Sequence, residues 1–326
     1  MFYSKYILTF LYLFVVALFT YGGVAHAVLS SDDIVFGEGS ITIDSETLIT
    51  TVTQTSERMV IEVYEGFGTS SEETINIVQP SAESILLIQD LSGDVSEISA
   101  DITAEGQLML LNTEGIVIDT ESVITSKVIL ISDLIPSEDE LEAFYEGSGP
   151  FTLFDADTDA GGIVCKGGLR SSDGGTIILV GQSINVEGEL MSANGDIVLT
   201  VGRIVDVALE TELISNVTIV DPILSALPDQ VDLITIVGSI ISLNGNIYID
   251  LYHSETIQAE SLNSEGIINA VQITEGNGQV FLTDNTFQEE SETGGSSGGS
   301  INLFCILLLA VSTVVRKRSL SKCIKI

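Results

Sequence analysis

Tryptophan is absent from the 326-residue sequence, proline occurs five times, cysteine three times, and histidine only as His26 and His253. Each scarcity removes a class of function. No Ser-His-Asp set and no zinc-ligand spacing appears, and the lone histidine beyond the N-terminal segment cannot build a histidine-based metal site. Cys305 and Cys323 lie near the C-terminus, so Cys165 is the one thiol of the middle and no disulfide can form there. Without a flanking partner base, Cys165 is expected to be a buried small hydrophobe and not a nucleophile.

Positive charge is the other scarcity. Eleven Lys and Arg face 47 Asp and Glu, for a net charge of −36. Lys5 lies at the N-terminus, and Arg316, Lys317, Arg318, Lys322 and Lys325 lie beyond residue 315. Only Arg58, Lys127, Lys166, Arg170 and Arg203 remain between 28 and 300, where all 47 acids fall, so that stretch carries −42. Nucleic acid and anionic membrane surfaces are excluded as partners of such a body. A disordered acidic tail is excluded too, because hydrophobic residues make up 45% and the mean hydropathy is +0.43. The composition calls for a buried core with carboxylates outside.

Both ends read as addresses. Lys5, the apolar run Tyr6 to Tyr21 and the small-x-small site at Ala25 and Ala27 make a secretory signal peptide, cut after Ala27. At the other end a spacer with Gly294, Gly295, Gly298 and Gly299 precedes an uncharged run from Ile301 to Val315 and then Arg316-Lys317-Arg318. A helix over that run covers only roughly 22 Å, short of a hydrocarbon core of about 30 Å. The tail resembles the GlyGly-CTERM sorting tails of Gram-negative bacteria. That resemblance implies a rhomboid-type sorting protease that removes the tail and passes the protein to the cell surface; a plain C-terminal membrane anchor is the alternative.

The middle is a succession of short aliphatic runs bounded by Gly, Asn, Asp or Ser. Ile41-Thr42-Ile43, Met59 to Val63, Ile85 to Ile88, Leu108 to Leu111, Ile177 to Val180, Ile197 to Thr200 and Ile247 to Ile249 are examples, and they predict an all-β fold. One helix is expected over 137–145, after Pro136 and with acids in its first turn. A Gly-polar-aliphatic-x-aliphatic unit recurs at Gly106, Gly175, Gly195, Gly245 and Gly278. Ile163, Gly167, Leu169 and Ser171 recur 21 positions later as Ile184, Gly188, Leu190 and Ser192, and Ile177 and Leu179 recur 20 later as Ile197 and Leu199. A period near 20 suits one rung of a parallel β-helix, a solenoid with aliphatics on its axis and acids at outward positions and turns.

From Met59 onward the order of features resembles the haemagglutination-activity, or two-partner-secretion, domain of filamentous-haemagglutinin-type exoproteins. The matching residues are Met59 to Glu62, Glu73 to Ile85 with the turn Gln79-Pro80-Ser81-Ala82, Ile98 to Asp101, Gly106 to Ile116, and Asp173-Gly174-Gly175. At the family's signature turn Asn112, Gly115 and Ile116 match, while Thr113-Glu114 stand in place of Pro-Asn. The resemblance implies a right-handed β-helix with an N-terminal β cap, no catalysis, export through an outer-membrane two-partner-secretion transporter, and an adhesin-like role at the surface of a Gram-negative bacterium or outside it. No host receptor is specified. Its secretion-motif-like residues here are Gln79, Pro80, Ser81, Asn112, Gly115 and Ile116.

The expected organisation is a signal peptide over 1–27, the two-partner-secretion-like domain over 28–205, further rungs over 206–287, an acidic Gly/Ser linker over 288–300, and an apolar C-terminal helix within 301–326. No cofactor is expected. Asp155, Asp157 and Asp159 alternate as Ca²⁺ ligands do, but Ala160 and Lys166 stand where an EF-hand needs Gly and Glu, so solvated loop acids compete with a looser Ca²⁺ site. The competing function class is a β-helical carbohydrate-active enzyme, a neutral-glycan hydrolase or lyase, which needs a facing carboxylate pair or a Ca²⁺ site with a basic proton acceptor.

Overall fold

The computed structural model describes residues 29–147, 151–154, 161–210, 213–221 and 233–250, with strand backbone within 262–281. Its strands wind into a coil of three faces. The first face stacks Ile49–Gln54, Thr74–Val78, Asp101–Ala104, the first parts of Val123–Ser132 and Gly168–Gly181, then Glu189–Ser192, Ser239–Ser242 and Ile267–Asn269. On the second face lie Arg58–Val63, Ile85–Asp90, Gln107–Asn112, the later parts of Val123–Ser132 and Gly168–Gly181, Ile197–Val201, Asn246–Asp250 and Gln272–Glu275. Ser96–Ile98, Ile116–Ile118, Ile163–Cys165, Ile184–Val186, Ile234–Ile236 and Leu262–Ser264 form the third. Every one of these pairings is parallel, which makes the body a parallel β-helix.

The repeats of the sequence are the registers of the coil. Ile163 pairs with Ile184, Leu169 with Leu190, Ser171 with Ser192, Ile177 with Ile197 and Leu179 with Leu199. At the first rung Ile34–Phe36 runs antiparallel to Arg58–Val63, and Gly39–Asp44 runs antiparallel to Ile49–Gln54, forming the N-terminal β cap. The expected helix is α1, Glu138–Glu146. Ser137 accepts from the Glu140 amide at its start, three acids fill its first turn, and Gly147 ends it at φ 76°.

Two cores share the second face. The inner one runs along the axis through residues such as Ile61, Ile88, Leu110, Ile131, Leu179, Leu199 and Ile249. The outer one joins Val60, Leu87, Met109, Leu130, Ile178 and Val198, which point away from the axis, to Phe144 of α1 and to Phe151, Val205 and Val217. It is covered by described elements of two excursions that leave the coil at the same corner, between the second and third faces, one after Ser132 and one after Val201. Their strands Phe151–Phe154, Ile204–Glu210 and Leu213–Asp221 pair antiparallel, and Gln279–Phe281 adds a fourth. Burial on both sides explains why the second-face segments are unbroken aliphatic runs, whereas first-face strands such as Asp101–Ala104 alternate.

Two expectations need correction. The Gly278 unit forms a strand, but Gln279–Phe281 joins the antiparallel outer sheet and not a rung. A turn followed by an aliphatic strand specifies local conformation and leaves the neighbour open. Nor do all acids sit outside: Asp90, Asp133, Asp196 and Asp250 are 4%, 0%, 2% and 1% exposed, each at one end of a second-face strand or just beyond it. At Asp90 the carboxylate meets the Phe67 and Ser92 amides and at Asp133 the Gln182 amide, which offset its lost hydration.

Asp196 supplies a test of that compensation. Its carboxylate accepts from the Asn246 amide at 2.7 Å and side chain at 3.2 Å, yet burial still pushes its pKa above the ordinary 3.8. A raised folded pKa means that the ionised form costs stability above that pKa. Asp196→Asn is therefore expected to stabilise the protein by about 1 kcal/mol at pH 7. The gain should shrink as pH falls through the raised pKa towards 3.8; urea midpoints at several pH values measure it. Cys165 is fully buried, with its thiol pushed up to about 12 by burial. Iodoacetamide at pH 8 should leave the Cys165 peptide unlabelled in the folded protein and label it in urea.

Candidate functional site

The residues singled out around the two turns fall at two corners of the coil, one between the first and second faces, the other between the second and third. Gln79 closes Thr74–Val78 and is 6% exposed. Its Nε2 donates to Gln54 Oε1 at 3.1 Å and to the carbonyls of Ser84 at 3.0 Å and Gln107 at 3.2 Å, while Oε1 accepts from the Gly106 amide at 2.6 Å. One amide group therefore ties three consecutive rungs. A Cβ at Gly106 would stand 2.5 Å from the Ser84 carbonyl oxygen and 2.9 Å from Gln79 Oε1, which is why Gly precedes Gln107. Exposed Pro80 lacks an amide to satisfy, and Ser81 accepts from the Ser84 amide at 3.3 Å to complete the turn.

At the second corner Asn112 is 1% exposed. Its Nδ2 donates to the Asp94 carbonyl at 2.8 Å, Ser96 Oγ at 2.8 Å and Asp90 Oδ2 at 3.3 Å, and its Oδ1 accepts from the Glu114 amide at 2.9 Å. Asp90 Oδ2 also accepts from the Phe67 amide at 2.7 Å and Ser96 Oγ at 2.6 Å, and its Oδ1 from the Ser92 amide at 3.0 Å. The Gly115 amide closes the turn on the Asn112 carbonyl at 3.0 Å, with Gly115 at φ 103°. Positive φ and a Cβ position 2.7 Å from the Gly162 carbonyl oxygen both require glycine here. Ile116 is buried at the start of the third face. Thr113 and Glu114 are half-buried, so the positions that depart from the family turn are the ones left at the surface.

The two clusters are separate, one at each end of the second-face strands. Asp155, Asp157, Asp159, His253, Ala25, Ala27, Gly294, Gly295, Gly298, Gly299 and the C-terminal helix lie outside the described residues. Among the described residues no three metal-ligating side chains converge. Gln54 and Asp90 were missed from sequence, although each ends its strand one rung before a residue that was singled out. The Asp90–Asn112 pair is even in register.

A family model described as the TPS secretion domain matches residues 28–303. The crystal structure of the HMW1 secretion domain from Haemophilus influenzae has a similar fold, with a TM-score of 0.55 and 20% sequence identity over 75% of this chain and 70% of that chain. No curated protein sequence matches.

Proposed function

The chain belongs to the TPS secretion-domain family, that of filamentous-haemagglutinin-type two-partner-secretion exoproteins, and from that premise we propose that it is a small, non-catalytic adhesin displayed at the surface of a Gram-negative cell. Membership makes it an exported protein with an outer-membrane transporter as partner. In this reading the chain folds after export, which favours a topology that grows from its first emerged residues.

The order of strand pairing supports the export half of the proposal. On each face of the coil every strand pairs with the one before it in sequence, and the outer sheet adds Phe151–Phe154, Ile204–Glu210, Leu213–Asp221 and Gln279–Phe281 in the same order. Among the described strands no later one inserts between two earlier ones. Each rung can thus template the next as the chain emerges, with the antiparallel cap formed first.

In the same proposal the leader over 1–27 is removed after Ala27, 28–205 is the transporter-recognised part, 206–287 adds outer-sheet strands as well as the rung strands from Ile234 to Glu275, and 288–300 links to a tail over 301–326 that a rhomboid-type protease removes. Deleting the partner-transporter gene should abolish surface display, and unchanged display would refute the two-partner route. The intact mass of the released protein should place its C-terminus near Gly294 to Gly299; a product retaining Arg316 to Arg318 would point to a plain anchor.

A further inference from the structure

A cleft of about 460 Å³ opens where α1 meets the first rung, beside the Gln79 corner, whose Gln54 donates to the carbonyl of cleft-lining Ser56 at 2.8 Å. Its size lies in the range of small-molecule sites, about 300–1,000 Å³. Tyr145 and Leu209 supply its apolar surface, and Glu57, Glu146 and Arg58 its charged groups. These side chains are held from behind. Tyr145 stacks on Phe36 with ring centroids 5.5 Å apart, Glu57 accepts from Ser84 Oγ at 3.2 Å, and the Arg58 guanidinium lies 5.4 Å from the Phe144 centroid while donating to the Phe144 carbonyl. Gly147 keeps the cleft open: a Cβ there would stand 3.3 Å from the Arg58 guanidinium, on a backbone already at positive φ.

The chemistry narrows the occupant. Two carboxylates, on a body of charge −42, repel an anion. The Arg58 guanidinium neutralises one of the two carboxylates, which leaves a weakly charged lining that offers both donors and acceptors. A neutral polyhydroxylated ring suits all three charged groups, because each hydroxyl can donate to Glu57 or Glu146 and accept from Arg58, while its C–H face covers the Tyr145 ring. We propose that this cleft is a binding site for a neutral pyranose unit of a surface glycan. For its biological use the proposal rests on the adhesin reading.

Saturation-transfer NMR of the purified mature protein with methyl glycosides of glucose, galactose, mannose, fucose and N-acetylglucosamine tests it. At least one is expected to bind with a Kd of about 1–10 mM, corresponding to about −3 to −4 kcal/mol. Tyr145→Ala should weaken binding about tenfold and Tyr145→Phe less than about threefold, because stacking survives in the second. Tyr64→Ala, at an exposed tyrosine outside the cleft, should leave it unchanged. Absence of binding by every probe, or equal loss in the Tyr145 and Tyr64 variants, overturns the site. Release of methanol from a probe overturns binding alone in favour of hydrolysis. Cells that still adhere while no probe binds leave the adhesin reading standing and remove only the cleft.

Discussion

Gly188→Ala is expected to destabilise the folded chain by about 4 kcal/mol, near the upper end for a single substitution. A Cβ at Gly188 would stand 1.9 Å from the Gly167 carbonyl oxygen and 2.5 Å from that of Lys166. Both are backbone atoms of the preceding rung, so no side chain can swing aside. Relief requires the rungs to part from their spacing of about 4.8 Å. That would stretch the bonds from the Glu187 and Gly188 amides to the Cys165 carbonyl, now 2.8 and 2.9 Å, and from the Glu189 amide to Gly167, now 3.0 Å. The strain would pass to the next rung, since a Cβ at Gly238 would in turn lie 1.9 Å from the Gly188 carbonyl oxygen. Gly168→Ala is the control, because its Cβ would meet only Val123 methyls, at 3.5 and 3.7 Å. Urea midpoints should separate the two variants widely; equal losses would show that the coil tolerates local spreading.

The same glycines show what was legible beforehand. Gly167 and Gly188 sit 21 positions apart because one rung consumes that much chain, and Gly175 and Gly195 form a second column, with a Cβ at Gly195 1.8 Å from the Gly175 carbonyl oxygen. Periodicity thus reported the coil, its register and its need for glycine together. The outer core was present in the sequence but not recognised. Ile85-Leu86-Leu87-Ile88 and Leu108-Met109-Leu110-Leu111 lack the alternation of Asp101-Ile102-Thr103-Ala104, and only a strand covered on both faces has reason to. What covers them could not be inferred, because Phe151 and Val205, whose strands pair in the outer sheet, are more than fifty positions apart and carry no repeat.

Site legibility divides along the same line. Gln79, Asn112 and Gly115 were visible because turn chemistry is local. Their partners were not, since a buried Asp90 looks in sequence like any other member of an acidic surface. The physical signal is positional. Asp90 and Asn112 each end an aliphatic run at a spacing of one rung, and Asp133 directly follows the strand of the next. There a side chain can turn inward to meet the amides of the corner: the Gln182 amide donates to Asp133 at 3.0 Å, as the Phe67 amide does to Asp90 at 2.7 Å.

Asp90→Ala is accordingly expected to cost about 4 kcal/mol. The substitution strands the Phe67 amide and the Ser96 hydroxyl, and removes the third and longest acceptor of the Asn112 amide, in a corner where Asp90, Ser96 and Asn112 are all under 5% exposed. Each buried donor left without an acceptor costs about 1–3 kcal/mol, reduced where water can enter. Asn112→Ala should cost about 3 kcal/mol, since it frees the Glu114 amide and removes a donor from the carboxylate. Asp90→Ala with Asn112→Ala should lose less than the sum of the two, because each removes the other's partner. Thr113 and Glu114 stand apart from this network on their side-chain surfaces. Replacing them together by Pro and Asn should therefore leave the urea midpoint within about 0.5 kcal/mol of the parent while changing the amount secreted. Secretion that follows stability alone, across both the Asp90 and the Thr113/Glu114 variants, would assign the turn to folding and not to recognition by the transporter.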